Sequence, residues 1–171
     1  SLLQAATYNE RKLDLQFVLS DKLTDENVVK TLSSMDGIVI APGFGPRGLE
    51  GKICALKYAR EHDIPTFGIC LGMQCMVVEF ARNVLGLEEA NSTEMNPHTP
   101  FKVIDLMEEQ KNITNMGGTM RLGAYKCELE KGSAVYKAYG KKMIQERHRH
   151  RFEFNGDFKE DFEKNGMKCT G

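Results

Sequence analysis

Apolar residues recur along the first half of the chain with two different periods. In KLDLQFVL (12–19), Leu13, Leu15 and Phe17 alternate with polar neighbours, which predicts a half-buried strand. TDENVVKTLSSM follows with Thr24 as the capping residue and Val28, Val29 and Leu32 at helical spacing. DGIVIAPG is a short β-branched run ending in turn residues, the signature of a buried strand feeding a loop. A helical pattern then runs from Leu49 to about Glu61, IPTFGI (64–69) predicts another short buried strand, and GMQCMVVEFARNVLG (72–86) predicts a helix stopped by Gly86. Strand and helix in alternation predict an α/β fold, with a mostly parallel sheet covered by helices on both faces.

The second half is less regular and richer in strands. NSTEMNPHTP is a polar loop, KVIDL a strand, EEQKNITNMGG a polar connector, and TMRLGAYKCEL an alternating strand. IQERHRHRFEFN also alternates and predicts a strand or strand end, and KEDFEKNG a short closing helix before MKCTG. No internal repeat, low-complexity tract or domain boundary interrupts the 171 residues, so one domain is expected.

Composition narrows the function classes. A formal net charge of -1 with 27% charged residues offers no bulk attraction to nucleic acid or anionic lipid, so small molecules or proteins are the expected partners. No apolar run approaches the ~20 residues that span a bilayer, and SLLQAATYNERKLDLQF lacks the order of a signal peptide, which predicts a cytoplasmic protein. The five cysteines form no C-x-x-C pair, so neither a disulfide framework nor a metal site is expected.

APGFGPRG (41–48) carries glycines at 43, 45 and 48, the G-x-G-x-x-G spacing of a dinucleotide loop. It follows a predicted strand and opens a predicted helix, so its amides can converge on an anion. A dinucleotide site also needs an acidic residue at the end of the next strand, and that strand ends in Ile69 and Cys70. A Walker A reading fails as well, because Pro46 stands five positions before Gly51 and Ile53 replaces the hydroxyl residue after Lys52. A glycine-rich turn without a ligand is the plain alternative.

GICLG (68–72) offers a different use for the loop. A G-x-nucleophile-x-G sequence between strand and helix is a nucleophile elbow, with Cys70 on the strained turn and small residues letting strand and helix approach. A helix N-terminus favours the thiolate over the thiol. The backbone N–H of Leu71 would supply one oxyanion donor, and the Gly43 amide, from the exit loop of the neighbouring strand, the second. Gln74 lies one turn later on the same helix face, within reach of a bound substrate. Cys54, Cys75, Cys127 and Cys169 lack this setting and read as small apolar residues.

PGFGPRGLEGKICALKYARE, IPTFGICLGMQCMVVEFARNVLG, ANSTEM, GGTMRLGAYKCEL and ERHRHRFEFN, in this order, resemble the glutamine amidotransferase domain of the CTP synthase family, a class I, triad-type amidotransferase with a flavodoxin-like sheet. The resemblance implies a reaction in which Cys70 attacks the carboxamide of L-glutamine, Gly43 and Leu71 hold the oxyanion, and ammonia leaves a γ-glutamyl thioester. It implies glutamine contacts at Gly43, Leu71, Gly72, Met73, Gln74, Glu94 and Arg151. Glu94 would pair with the substrate ammonium and Arg151 with its α-carboxylate. It implies no cofactor in this domain. The complete homo-oligomeric enzyme would aminate UTP to CTP in a synthetase domain of the same polypeptide, using ATP and magnesium with GTP as activator. GGTMRLG (117–123) resembles the loop that responds to GTP, although on sequence alone it is a hinged connector and Arg121 a surface arginine.

The chain departs from the family pattern in three places. APGFG stands where the family carries a second glycine before Phe, with Gly43 kept. The family's catalytic His and Glu lie in a Phe-His-Pro-Glu stretch that is not among these residues, and SLLQAATYN begins in what would be the first helix, without the opening strand. A domain incomplete at both ends is therefore expected. His148 and His150 match a different family motif and read as structural or binding-site histidines. A non-catalytic glutamine-sensing or scaffolding module, another class I amidotransferase, or an elbow hydrolase of unrelated substrate are the alternatives.

Overall fold

A computed structural model describes residues 1–106 and 121–171. Helix α1 (Leu2–Tyr8) leads through an extended segment and a 3-10 turn (Ser20–Lys22) to α2 (Val28–Leu32) and strand β1 (Ile38–Ile40). Then come α3 (Leu49–Glu61), β2 (Thr66–Gly68), α4 (Leu71–Asn83), β3 (Asn91–Ser92) and β4 (Lys102–Leu106). Beyond residue 120 lie β5 (Arg121–Glu128), α5 (Ala134–Tyr139), β6 (Met143–His150), β7 (Phe152–Phe154), and α6 (Lys159–Lys164). β1 and β2 pair in parallel, β3 and β4 pair in parallel with β7 antiparallel on the far side of β4, and β5 and β6 form an antiparallel ribbon.

Helix α4 is the hub. Leu71, Cys75, Val78 and Ala81 are each no more than 3% exposed, and the helix touches β1, β2, β3, β4, β7 and α3. Val103 and Ile104 of β4 are fully buried against it. Phe162 fastens α6 to this core, stacking on Phe80 of α4 at 5.4 Å and meeting Phe154 of β7 edge-on at 5.1 Å. Arg60 of α3 forms a forked pair with the buried Glu79 of α4, with contacts of 2.9–3.1 Å, locking the two helices.

Three expectations are corrected. Residues 12–19 form no strand: Leu15, Phe17 and Leu19 are 47, 91 and 60% exposed, because alternation makes a strand only where another strand is there to pair with it. Among the described residues, helices cover one face of the β1–β2 pair. The cross-strand partners Val39 and Phe67 point away from α4 and stay exposed among the described residues. Thr24 does not cap α2 through its side chain; its N–H instead donates to Asn27 Oδ1 at 3.0 Å, and its carbonyl accepts from Val28. The connector EEQKNITNMGG and most of GGTMRLG lie outside the described residues. Helix α5 and the brief β3 went unforeseen, being too short to show a period. Among the described residues no helix is long and apolar enough to cross a membrane.

Two substitutions check this packing. A Cβ on Gly51 would run into the Ser20 carbonyl and lie 3.2 Å from that of Leu23, so Gly51→Ala should push the 3-10 turn off α3 and cost about 1–3 kcal/mol in urea unfolding. Arg60→Ala leaves the Glu79 carboxylate buried without its counter-charge and with Asn83 Nδ2 still donating at 3.1 Å; because Arg60 is one-third exposed, the expected loss is about 1–3 kcal/mol, below that of a fully enclosed pair.

Candidate functional site

The site grows from the junction of β2 and α4. Cys70 is the residue before α4 and holds φ 54° and ψ −110°, a left-handed conformation that costs a non-glycine residue roughly 1–3 kcal/mol. The flanking glycines make the turn possible. A Cβ on Gly68 would lie 2.6 Å from the Gly72 carbonyl carbon, and one on Gly72 would strike the Ile40 carbonyl. The strand, the helix start and β1 therefore touch backbone to backbone. Ile69 N–H donates to Ile40 O at 3.0 Å, tying the elbow to the end of β1. Cys70 is exposed, whereas burial pushes the Cys75 thiol up to about 11, with Lys52 pulling the other way. Burial, with the Asp25 carboxylate beside it, pushes Cys54 to about 11 as well.

The glycine loop meets the elbow as expected. A Cβ built on Gly43 would sit 3.5 Å from Leu71 Cδ2 and 3.8 Å from Lys52 Nζ, so the two candidate oxyanion residues are neighbours. As the first residue of α4, Leu71 has no intrahelical acceptor for its N–H. Gly45 and Gly48 serve the loop's shape, with φ of 80° and 69°, and Gly48 also lies against Ser20. The G-x-G-x-x-G spacing thus has separate backbone reasons at each position.

Of the other candidates, Gly72 and Gln74 are buried and Met73 is 37% exposed. Gln74 Nε2 donates to Phe152 O at 3.3 Å, while among the described residues its Oε1 is buried without a partner. That contact brings the first turn of α4 to the junction of β6 and β7, where Arg151 sits. Glu94 is exposed and follows Thr93, whose N–H donates to Ile104 O. Since β3 runs with β4 and β7 against it, Glu94 and Arg151 lie at the same end of that sheet, on either side of β4.

Arg121 is not the plain surface residue its sequence setting suggests. Its Nη1 donates to both Glu153 oxygens at 2.8 and 2.9 Å, and its guanidinium lies 4.2 Å over the Tyr125 ring. His148 Nδ1 and His150 Nε2 are 2.8 Å apart, and burial holds His150 below the ordinary histidine pKa although Glu153 draws it upward. Arg121 and Lys52 are the site neighbours that sequence reasoning missed. Lys52 follows Gly48 by one helical turn, a spacing that could have placed it beside the loop.

The constellation matches known proteins along its whole length. A family model described as Glutamine amidotransferase class-I matches residues 2–171. The CTP synthases of Bacteroides thetaiotaomicron and Porphyromonas gingivalis are each 65% identical over 171 residues, all of this chain and 32% of those proteins. The chain thus spans about a third of the length of these curated relatives. A solved structure described as the Trypanosoma brucei CTPS glutaminase domain with bound acivicin superposes with a TM-score of 0.89 at 39% identity, covering 96% of this chain and 65% of that one. With a family model matched from residue 2 to residue 171 and a fold that superposes over 96% of the chain, the chain belongs to the class-I glutamine amidotransferase family.

Proposed function

We propose that this chain is the glutaminase half of a CTP synthase, with Cys70 as its nucleophile. The observation that carries the reading is an exposed cysteine held at φ 54° on a helix start, beside a glycine whose missing side chain leaves room against Leu71. The acivicin bound to the trypanosomal domain, a glutamine analogue, supports glutamine as the substrate here.

In this mechanism the Cys70 thiolate attacks the side-chain carbonyl carbon of glutamine, and the carbonyl π electrons move onto oxygen. The Gly43 and Leu71 amides hold that oxyanion. As it collapses, the C–N bond breaks and the nitrogen takes a proton, so ammonia leaves a γ-glutamyl thioester that water hydrolyses. Gly72, Met73 and Gln74 of the first turn of α4 contact the substrate, while Glu94 and Arg151 take the ammonium and carboxylate of its amino-acid end. Ammonia then serves a synthetase domain of the same polypeptide, where ATP with magnesium activates UTP for amination and GTP stimulates the glutaminase. This complete enzyme is a cytoplasmic homo-oligomer.

Two variants of the full-length enzyme test the assignment. Cys70→Ser should abolish CTP formation from glutamine while leaving formation from added ammonia intact; persistence of the glutamine-dependent rate would refute the nucleophile. Gly43→Ala meets only ordinary contacts at 3.5 and 3.8 Å, so folding should be spared. Its added methyl crowds the oxyanion position, and glutaminase kcat should fall about 10²–10³-fold, the loss typical of one oxyanion donor.

A further inference from the structure

The four residues His150, Arg151, Phe152 and Glu153 carry the chain from β6 into β7, and they are gripped from two sides. On one side Gln74 Nε2 holds the Phe152 carbonyl to the first turn of α4. On the other, Arg121 at the start of β5 clasps the Glu153 carboxylate with contacts of 2.8 and 2.9 Å. The same carboxylate stands 3.5 Å from His150 Nδ1, and the other ring nitrogen of His150 meets His148. Tyr125 supports the arrangement from below, under the Arg121 guanidinium and edge-on to His148.

Arg121 is 25% exposed and Glu153 20%, so this ion pair is shielded from solvent competition. Nη1 alone reaches both carboxylate oxygens while the guanidinium lies over the Tyr125 ring, so the stacked ring fixes the direction of the group and the ion pair its distance. The residues flanking Arg151, His150 before it and Glu153 two positions after it, are therefore both anchored to the β5–β6 ribbon. The Arg151 backbone is left little freedom to move relative to Cys70.

We propose that Arg121 and Glu153 are positioning residues for the glutaminase: their pair sets the His150–Glu153 turn so that Arg151 meets the α-carboxylate of glutamine. This rests on the glutamine reading given above. It assigns the pair a role in binding the amino-acid end of the substrate, remote from the bond that breaks. Loss of either partner should then weaken glutamine binding uniformly, raising KM with little change in kcat.

The test uses the full-length enzyme and two electrophiles. Iodoacetamide requires only an accessible Cys70 thiol, whereas acivicin also presents an α-amino acid for recognition. Arg121→Gln and Glu153→Gln should each raise KM for glutamine and slow acivicin inactivation by about 10- to 100-fold, as misplacement of a binding group does. Iodoacetamide labelling of Cys70, read by peptide mass, should keep its wild-type rate. The double variant should be no worse than either single one, since both remove the same contact. Equal slowing of both electrophiles, a fall in kcat without a rise in KM, or additive losses in the double variant would each overturn the positioning role. Wild-type enzyme that acivicin fails to label at Cys70 would overturn the glutaminase reading itself, whereas labelled wild type with unaltered variants would overturn only the latch.

Discussion

The constraint on which the site depends is the backbone contact among β1, β2 and the first turn of α4. Gly68 and Gly72 let three segments meet where any Cβ would force them apart: one on Gly68 would lie only 2.6 Å from the Gly72 carbonyl carbon, and one on Gly72 would strike Ile40 O. Everything chemical depends on that contact. It holds Cys70 in its left-handed turn with the residue exposed, and sets Leu71 beside the loop that leaves β1. The same helix then runs on as the buried hub on which β4, β7 and α6 assemble. Strain at one residue is thus underwritten by the packing of the most buried helix in the described structure, which is the usual arrangement where backbone strain persists.

A second level of organisation joins the two halves of the chain. The first half supplies the proposed nucleophile and oxyanion loop from a parallel α/β arrangement, and the second supplies the charged groups proposed to bind substrate from irregular strands. Their physical link at the site is narrow: Gln74 reaches Phe152, and the three-stranded group carries Glu94 and Arg151 at one end. Placement of charged groups around a substrate by so few contacts makes the supporting pairs matter, because long side chains on short strands do not hold a direction by themselves. The Arg121–Glu153 pair, tied into His150 and Tyr125, gives that corner the rigidity its short elements lack.

Much of the central architecture was legible in the sequence because local signals and tertiary demand agreed there. The helical run from Leu49 to Glu61 has the predicted bounds, and the G-x-C-x-G stretch announced both the strained turn and the close approach that its glycines permit. KLDLQFVL failed for a physical reason: a two-residue period describes which residues would share a face, and says nothing about whether a partner strand exists. Val39 and Phe67 show the same limit, since a continuous apolar run cannot say which face is covered. Arg121 and Glu153 acquire each other only from the tertiary fold, across a separation no period encodes, so their roles could not be read from spacing.

The central claim is that the elbow, and not exposure alone, sets Cys70 apart from the other thiols. Competitive alkylation of the native chain with iodoacetamide at neutral pH, resolved cysteine by cysteine through peptide mass, measures it directly. The account predicts that Cys70 reacts fastest and outpaces Cys169, which is also exposed but has no elbow, while Cys54 and Cys75, with thiols held at about 11, react slowest. In urea the five rates should converge. A native Cys70 no faster than Cys169, or a rate order that survives unfolding, would contradict it.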